Sequence, residues 1–400
     1  MKRTVEERIR KIAEGEAFSE NPCFYFYDAG DIREKLEILG RRPKNVKFYY
    51  AMKANSNPDI MRLISSSGKA DGIEIASVGE LEKALEVAPA SGIIYTGPGK
   101  TPYELRRAAE AGIRLFNMES PVEARRLSQI AQEMGKPSVD ALVRINTDFY
   151  IDEAITHMAG ESTKMGVEEK KLAEALAKIG QNGNINVRGF HVFAASGVLN
   201  SESLLEYADY VFGLMKRIEK ETGKRPEIVD FGGGFGIDYS GEGTQFRAED
   251  YFQGLDERIR KGGFSDREMI LELGRYVVGE SGNYVTEILD IKESKGKKHI
   301  VAGGGVNHLR LPSASGVNQP VHILPRNRPD IVEDQPEVYD EVVDIGGPLC
   351  FTEDKLARDV RIPRARIGDL LVVSQAGAYG KDVSSLELLS HPKPPEYLVG

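Results

Sequence analysis

Eight short runs of β-branched, aromatic and other apolar residues alternate with helix-like stretches between about residue 45 and residue 275. The runs read VKFYYAM, IEIAS, IIYTG, RLFNM, DALVRIN, VRGFHVF, EIVDF and MILELG; between them lie stretches such as GELEKALEV, TPYELRRAAEAG and PVEARRLSQIAQEMG. Most runs are apolar at consecutive rather than alternate positions, as strands covered on both faces require. Parallel strands need long crossovers, and the helix-like stretches supply them. An α/β architecture follows, with a closed (β/α)8 TIM barrel as its economical form and a doubly wound open sheet as the rival.

Past residue 275 the texture changes. YVVGESGNYVTEILDIKESKGKKHIVAGGG and the later RIGDLLVVSQAGAYG show polar alternation and turns, with few helix signals between them. Residues 277–400 therefore read as a mainly β domain. CFYFYD, near residue 24, is strand-like too and follows a short amphipathic helix, so residues 1–28 group with that domain and the barrel is expected over residues 29–276.

The formal net charge of −9 argues against nucleic acid or an anionic membrane as partner. No apolar run reaches the roughly 18 residues of a membrane helix, and the N-terminus lacks the apolar centre of a signal peptide. Only Cys23 and Cys350 are present, too few for a disulfide framework, which points to a reducing cytoplasm.

Barrel enzymes carry reactive groups at the C-terminal ends of their strands. Lys53 ends the first run, Phe193 and Ser196 the sixth, the glycine run Gly232–Gly236 follows the seventh, and Glu272 and Arg275 close the eighth. Lysine after a strand is usually a solvated surface residue, but Tyr50, Ala51 and Met52 give this one an apolar approach. Desolvation lowers an amine's pKa and frees it to join a carbonyl. Glycine runs are commonest as tight turns, yet after the seventh barrel strand their backbone amides often hold a phosphate. GPGKT at 97–101 mimics the end of a P-loop, but Ile94 stands where that motif needs glycine. No HExxH, CxxC or GxSxG pattern occurs, so no metal is expected.

With YAMKAN, IEIASVGE, GGGFG, ELGR, GGPLC and GAYG in this order, the chain resembles the fold-type III PLP decarboxylases. That family includes the diaminopimelate, ornithine and arginine decarboxylases and shares its barrel with alanine racemase. The resemblance implies pyridoxal 5'-phosphate carried on Lys53, with Glu272 against the ring nitrogen. It assigns the phosphate to the backbone of Gly233, Gly234, Phe235 and Gly236 with Ser196, Arg275 and Tyr379, and places Gly274 among the cofactor-binding residues. Arg144, Glu74 and Glu80 match residues flanking the cofactor. Cys350, or else Lys53, would return a proton to the substrate, and Cys350, Phe351, Asp354 and Tyr379 would meet the substrate. It also implies a homodimer in which Cys350 and Tyr379 complete the partner's site. Losing CO2 leaves a carbanion that the cofactor ring absorbs if its nitrogen stays protonated. A carboxylate favours that cation, whereas the racemase branch places an arginine there.

Two positions depart from the family pattern. Phe193 replaces a ring-stacking histidine; it can stack but offers no proton, while His191 is either a polar neighbour or a packed core residue. Phe351 replaces the acidic residue that holds a distal substrate ammonium in the diaminopimelate and ornithine enzymes. Together with THMAGESTKMG (156–166), GPGK and LELLSHPKPPEY, this makes the chain most similar to a branch acting on conjugated amino acids. Siderophore-pathway decarboxylases of the staphyloferrin B type and butirosin-pathway enzymes belong there. The implied substrate is a citrate-linked diamino acid; the alternatives are a carrier-bound amino acid, free diaminopimelate or a basic amino acid, with racemisation behind them.

Overall fold

The computed structural model describes residues 1–160, 162–241, 243–326 and 335–400; Glu161, inside the 156–166 segment, lies outside them. The chain divides into two units, one of residues 33–237 and 245–277, the other of residues 1–32, 238–244 and 278–400. The first boundary thus falls a few residues beyond residue 28. Asp28 caps the Gly30 amide at 2.8 Å and Asp31 pairs with Lys2, which ties the start of the helix Ala29–Leu39 to the second unit. The amides of Ser240 and Gly243, which Asp238 accepts, leave no mark in residue periodicity.

The first unit is an eight-stranded parallel barrel. Its strands are β1 (Val46–Ala51), β2 (Gly72–Ile75), β3 (Ile93–Tyr95), β4 (Leu115–Met118), β5 (Val139–Asn146), β6 (Ile185–Val192), β7 (Ile228–Asp230) and β8 (Glu268–Leu273). Each pairs with the next, and β8 returns to β1 with Glu272 opposite Tyr49, closing the ring. The rim loops are short because helices start soon after several strands. Asn57, Ser77, Thr101 and Ser120 each accept an amide hydrogen from the first turn of the following helix. Thr101 and Glu104 form a full capping box.

Inside the barrel, Tyr49, Ile94, Leu115, Leu142, Ile228 and Ile270 form a buried apolar floor. Side chains two residues apart on a strand share a face. Stepping two residues onward from the last five of these gives Thr96, Asn117, Arg144, Asp230 and Glu272. A buried polar tier therefore stands directly above the apolar floor.

The second unit is built on strands in the order Val321–Leu324, Leu370–Ser374, Gly282–Ser294, Lys297–Ala302, Glu337–Gly346 and Lys355–Arg366. Cys23–Asp28 runs antiparallel to Gly282–Ser294 and parallel to Glu396–Val399. The helix Arg3–Ala13 turns Val5, Ile9 and Ala13 inward, four residues apart, onto Phe18, Phe24, Phe26, Val285 and Val372. Full burial of each large apolar side chain contributes roughly 1.5–3 kcal/mol, so this small helix is fixed by its inner face. Among the described residues no helix is long and apolar enough to cross a membrane.

Candidate active site

Lys53 lies in a single turn, Met52–Ala54, that follows β1. The Tyr50 hydroxyl donates to the Asn55 carbonyl at 2.8 Å, and Asn57 caps the next helix, so the turn is anchored on its far side. Gly274 lets the end of β8 approach: a Cβ there would stand 2.6 Å from the Ala54 Cβ and 2.9 Å from the Ala51 carbonyl oxygen. Lys53 Nζ meets both oxygens of Glu74, on the adjacent strand β2, at 2.9 and 3.0 Å. Glu74 is fully buried. Glu80 instead turns back to accept the Ala76 amide at 2.6 Å, a local helix-start contact.

Glu272 is held from one side and crowded from the other. Its Oε1 accepts from Asn117 Nδ2 at 3.3 Å and from Thr96 Oγ1 at 3.4 Å. Its Oε2 lies 3.8 Å from His191 Nε2. Asp230 completes a buried trio whose ligating atoms all fall within 4.8 Å of one another. Burial, followed by the nearby charges of Asp230 and Glu74, holds Glu272 well above the usual carboxylate range. Burial likewise pushes Asp230 up to about 7, against the hydrogen bond from the Gly232 amide. Two carboxyls this close favour sharing a proton over carrying two charges. Burial, then the cations Arg144, Lys53 and Lys100, keep His191 neutral.

Neither ring nitrogen of His191, nor Oδ1 of Asn117, has a hydrogen-bond partner among the described residues. Buried polar atoms are nearly always satisfied, so the tier suits a polar ligand. The glycine run beside it has the same character. Gly232 and Gly234 have φ of 64° and 136°, and a Cβ on Gly233 would stand 2.5 Å from the Glu272 carbonyl oxygen. The amides of Gly233, Gly234 and Phe235 have no backbone acceptor among the described residues. The Gly236 amide is different: it donates to the Val198 carbonyl at 2.8 Å, so this residue serves close chain approach and is withdrawn from the expected anion donors. The Phe235 ring, packed on Phe246, Tyr251 and Tyr276, anchors the loop from behind. The Phe193 ring lies against Gly232, where a Cβ would approach it to 2.7 Å. Ser196 stands opposite Thr156 in a short antiparallel pair, and buried Arg275 opens the helix Arg275–Val278. Arg144, also buried, donates from Nη1 to Glu119 Oε1 at 2.9 Å.

These groups fit pyridoxal phosphate: an amine, an acid above an apolar floor, an aromatic face and a run of amides open to an anion. Cys350, Phe351, Asp354 and Tyr379 belong to the other unit. Cys350 and Phe351 are exposed, and Tyr379 is half-buried with φ of 53°. The sequence assigns Asp354 to the substrate. It is buried, and its oxygens accept the Val306 amide at 2.7 Å and the Leu349 amide at 2.8 Å. The carboxylate staples two loops together. Sequence reasoning passed over the buried polar residues Asp230, Asn117 and Thr96, which the step of two from the apolar floor would have found.

A barrel that holds a lysine, a buried acid and an anion-ready glycine turn at one rim has the equipment of a pyridoxal-phosphate enzyme. Residues 29–279 match the family model described as the pyridoxal binding domain of pyridoxal-dependent decarboxylases, and the chain belongs to that family. It is 33% identical over 390 residues to 2-[(L-alanin-3-ylcarbamoyl)methyl]-2-hydroxybutanedioate decarboxylase of Staphylococcus aureus, covering 96% of this chain and 95% of the relative. It is also 33% identical to L-glutamyl-[BtrI acyl-carrier protein] decarboxylase of Niallia circulans, over 94% of this chain and 88% of that one. Among solved structures, diaminopimelate decarboxylase from Helicobacter pylori complexed with L-lysine superposes with a TM-score of 0.85 at 26% identity, covering 99% of this chain and 94% of that one.

Proposed function

We propose that this pyridoxal-dependent decarboxylase removes CO2 from an α-amino acid already joined to a larger acid, such as a citrate-linked diamino acid. The observation that carries this reading is Phe351 beside Cys350. An exposed aromatic occupies the place of the family's ammonium-binding acid, and the nearby Asp354 is committed to backbone amides. An ammonium buried without its counter-charge costs several kcal/mol, which disfavours a free diamino acid. Similarity to the citrate-derivative enzyme over nearly the whole chain supports the same substrate class. A carrier-bound glutamyl group is the second reading, supported by the Niallia circulans relative.

When bound, the cofactor delocalises the electron pair that departing CO2 leaves behind. Lys53 would carry it, and in the free protein the ion pair with Glu74 holds the amine at the strand end. Glu272, fixed by Asn117 and Thr96, would favour the protonated ring nitrogen. Phe193 would offer an aromatic surface to the ring. The amides of Gly233, Gly234 and Phe235, with Ser196, would donate to the phosphate, and Arg275 would offset its charge. Cys350 holds the proton delivered to the α-carbon; together with Tyr379 it serves the site of a second copy in a homodimer. The enzyme works in the cytoplasm.

The test is CO2 release, followed by mass balance, from a citrate-linked diamino acid beside free diaminopimelate, lysine, ornithine and arginine. Turnover of the conjugate with little of the free acids is expected. Efficient turnover of a free amino acid, with none of the conjugate, would overturn the substrate assignment.

A further inference from the structure

Lys100 belongs to the GPGK segment, the lysine motif that the phosphate site leaves unused. Its ammonium is almost fully buried, with the side chain 1% exposed. An ammonium has three hydrogens to donate, and Lys100 places them on the Gly97 carbonyl at 2.6 Å, the Asn117 carbonyl at 2.8 Å and Glu123 Oε1 at 2.7 Å. Two of these acceptors lie at the ends of neighbouring strands β3 and β4. The third opens onto the helix that follows β4.

Two arms leave this tripod, and each ends on an ionisable group of the polar tier. Gly97 directly follows Thr96, and Asn117 is itself clamped; Asn117 Nδ2 donates to Thr96 Oγ1 at 2.9 Å, and both side chains donate to Glu272 Oε1. On the other arm, Glu123 Oε2 accepts the Glu119 amide at 3.4 Å, and Glu119 Oε1 holds Arg144 Nη1 at 2.9 Å. Glu119 Oε2 accepts the Gly166 amide at 2.5 Å, which binds the segment after β5 into the same network. Burial pushes the Glu123 carboxyl upward while the Lys100 charge opposes it, so this carboxylate depends on its lysine.

We propose that Lys100 is a positioning residue that sets, through these two arms, the placement of Glu272 and Arg144 around the cofactor. The inference rests on the reading of those two residues given above. A tetrahedral donor with three short bonds is what the clamp requires. Arginine, with a planar fork and a longer stem, does not reproduce it.

The test uses full-length Lys100→Met and Lys100→Arg, with Thr96→Val and Glu119→Gln weakening one arm each. Pyridoxal phosphate affinity is measured by titrating cofactor-free protein, together with the pH midpoint of the bound cofactor's absorbance. Thermal melting of the cofactor-free protein is followed in parallel. Both Lys100 variants are expected to bind the cofactor about tenfold more weakly or worse, as outer partners of buried ligating groups commonly demand. Their absorbance midpoint moves in the same direction as that of Thr96→Val. In the Thr96→Val/Glu119→Gln background, Lys100→Met has a smaller effect than in the wild-type background, because both arms are already weakened. Should Lys100→Met not fold, Glu123→Gln replaces it and is expected to shift the same midpoint. Unchanged affinity and midpoint, with only the melting temperature lowered, would make Lys100 purely structural and overturn the proposal. If the wild-type protein takes up no cofactor, the functional reading itself fails, an outcome distinct from a normal wild type with indifferent variants.

Discussion

Replacing Lys53 with alanine should destabilise the cofactor-free protein chiefly through Glu74. Lys53 Nζ stands 2.9 Å from a Glu74 oxygen, with the carboxylate side chain 0% and the lysine side chain 37% exposed. At that separation and an effective dielectric of about 20, the attraction is roughly 6 kcal/mol, most of which offsets the loss of hydration. Removing one partner of a buried pair typically costs about 3–5 kcal/mol. Because the lysine end is partly in water, screening reduces the expected loss for Lys53→Ala to about 2 kcal/mol. Glu74→Gln removes the charge that suffers, so Lys53→Ala in that background should cost less than about 1 kcal/mol. Urea unfolding followed by circular dichroism gives all four corners of the cycle. The cofactor must be stripped first, since any ligand of the folded state adds its own stabilisation. An equal loss in both backgrounds would refute the reasoning and mean that the ion pair does not hold the amine in place.

Three further outcomes follow from the same geometry. Asp230 is pushed from 3.8 to about 7, so the folded state holds its proton more tightly than the unfolded chain does. The stability it contributes is complete below about pH 4 and is lost as pH rises through about 7; Asp230→Asn should flatten that slope in melts of the cofactor-free protein, and an unaltered slope would count against proton sharing. Gly233→Ala places a methyl 2.5 Å from the Glu272 carbonyl oxygen, so cofactor affinity in a fluorescence titration should fall about tenfold, or ~1.4 kcal/mol, while an unchanged value would show the loop yielding freely. Mixing Lys53→Ala with Cys350→Ala subunits should restore part of the decarboxylase activity each lacks; no recovery, with subunit exchange demonstrated, would argue against shared sites.

The barrel was legible because its strands are short, apolar on consecutive positions and separated by helical periods, a pattern set by local sequence. Lys53, Glu272 and the glycine run were legible because strand ends are where barrel chemistry sits. Asp230 was passed over inside EIVDF, where one acid in an apolar run looks like an interruption; only the register that sets it opposite His191 and Ile270 shows its neighbours. Lys100 was weighed against a motif it does not satisfy, and its three acceptors are spread over residues 97, 117 and 123. The backbone contacts of Asp354 were hidden for the converse reason. Position in a motif says nothing of which amides a folded loop turns toward a carboxylate, and here those amides come from Val306 and Leu349.

Stacking of the polar tier on the apolar floor ties chemistry to strand stagger. Glu272 and Ile270 share one face of β8, so sliding that strand by a single residue would turn both toward the helices and bring Leu271 and Leu273 into the ring. Scaffold and reactive groups are thereby inherited as one unit. Divergence toward new substrates is then channelled into the connecting segments, which can lengthen or change composition without disturbing the alternation along the strands.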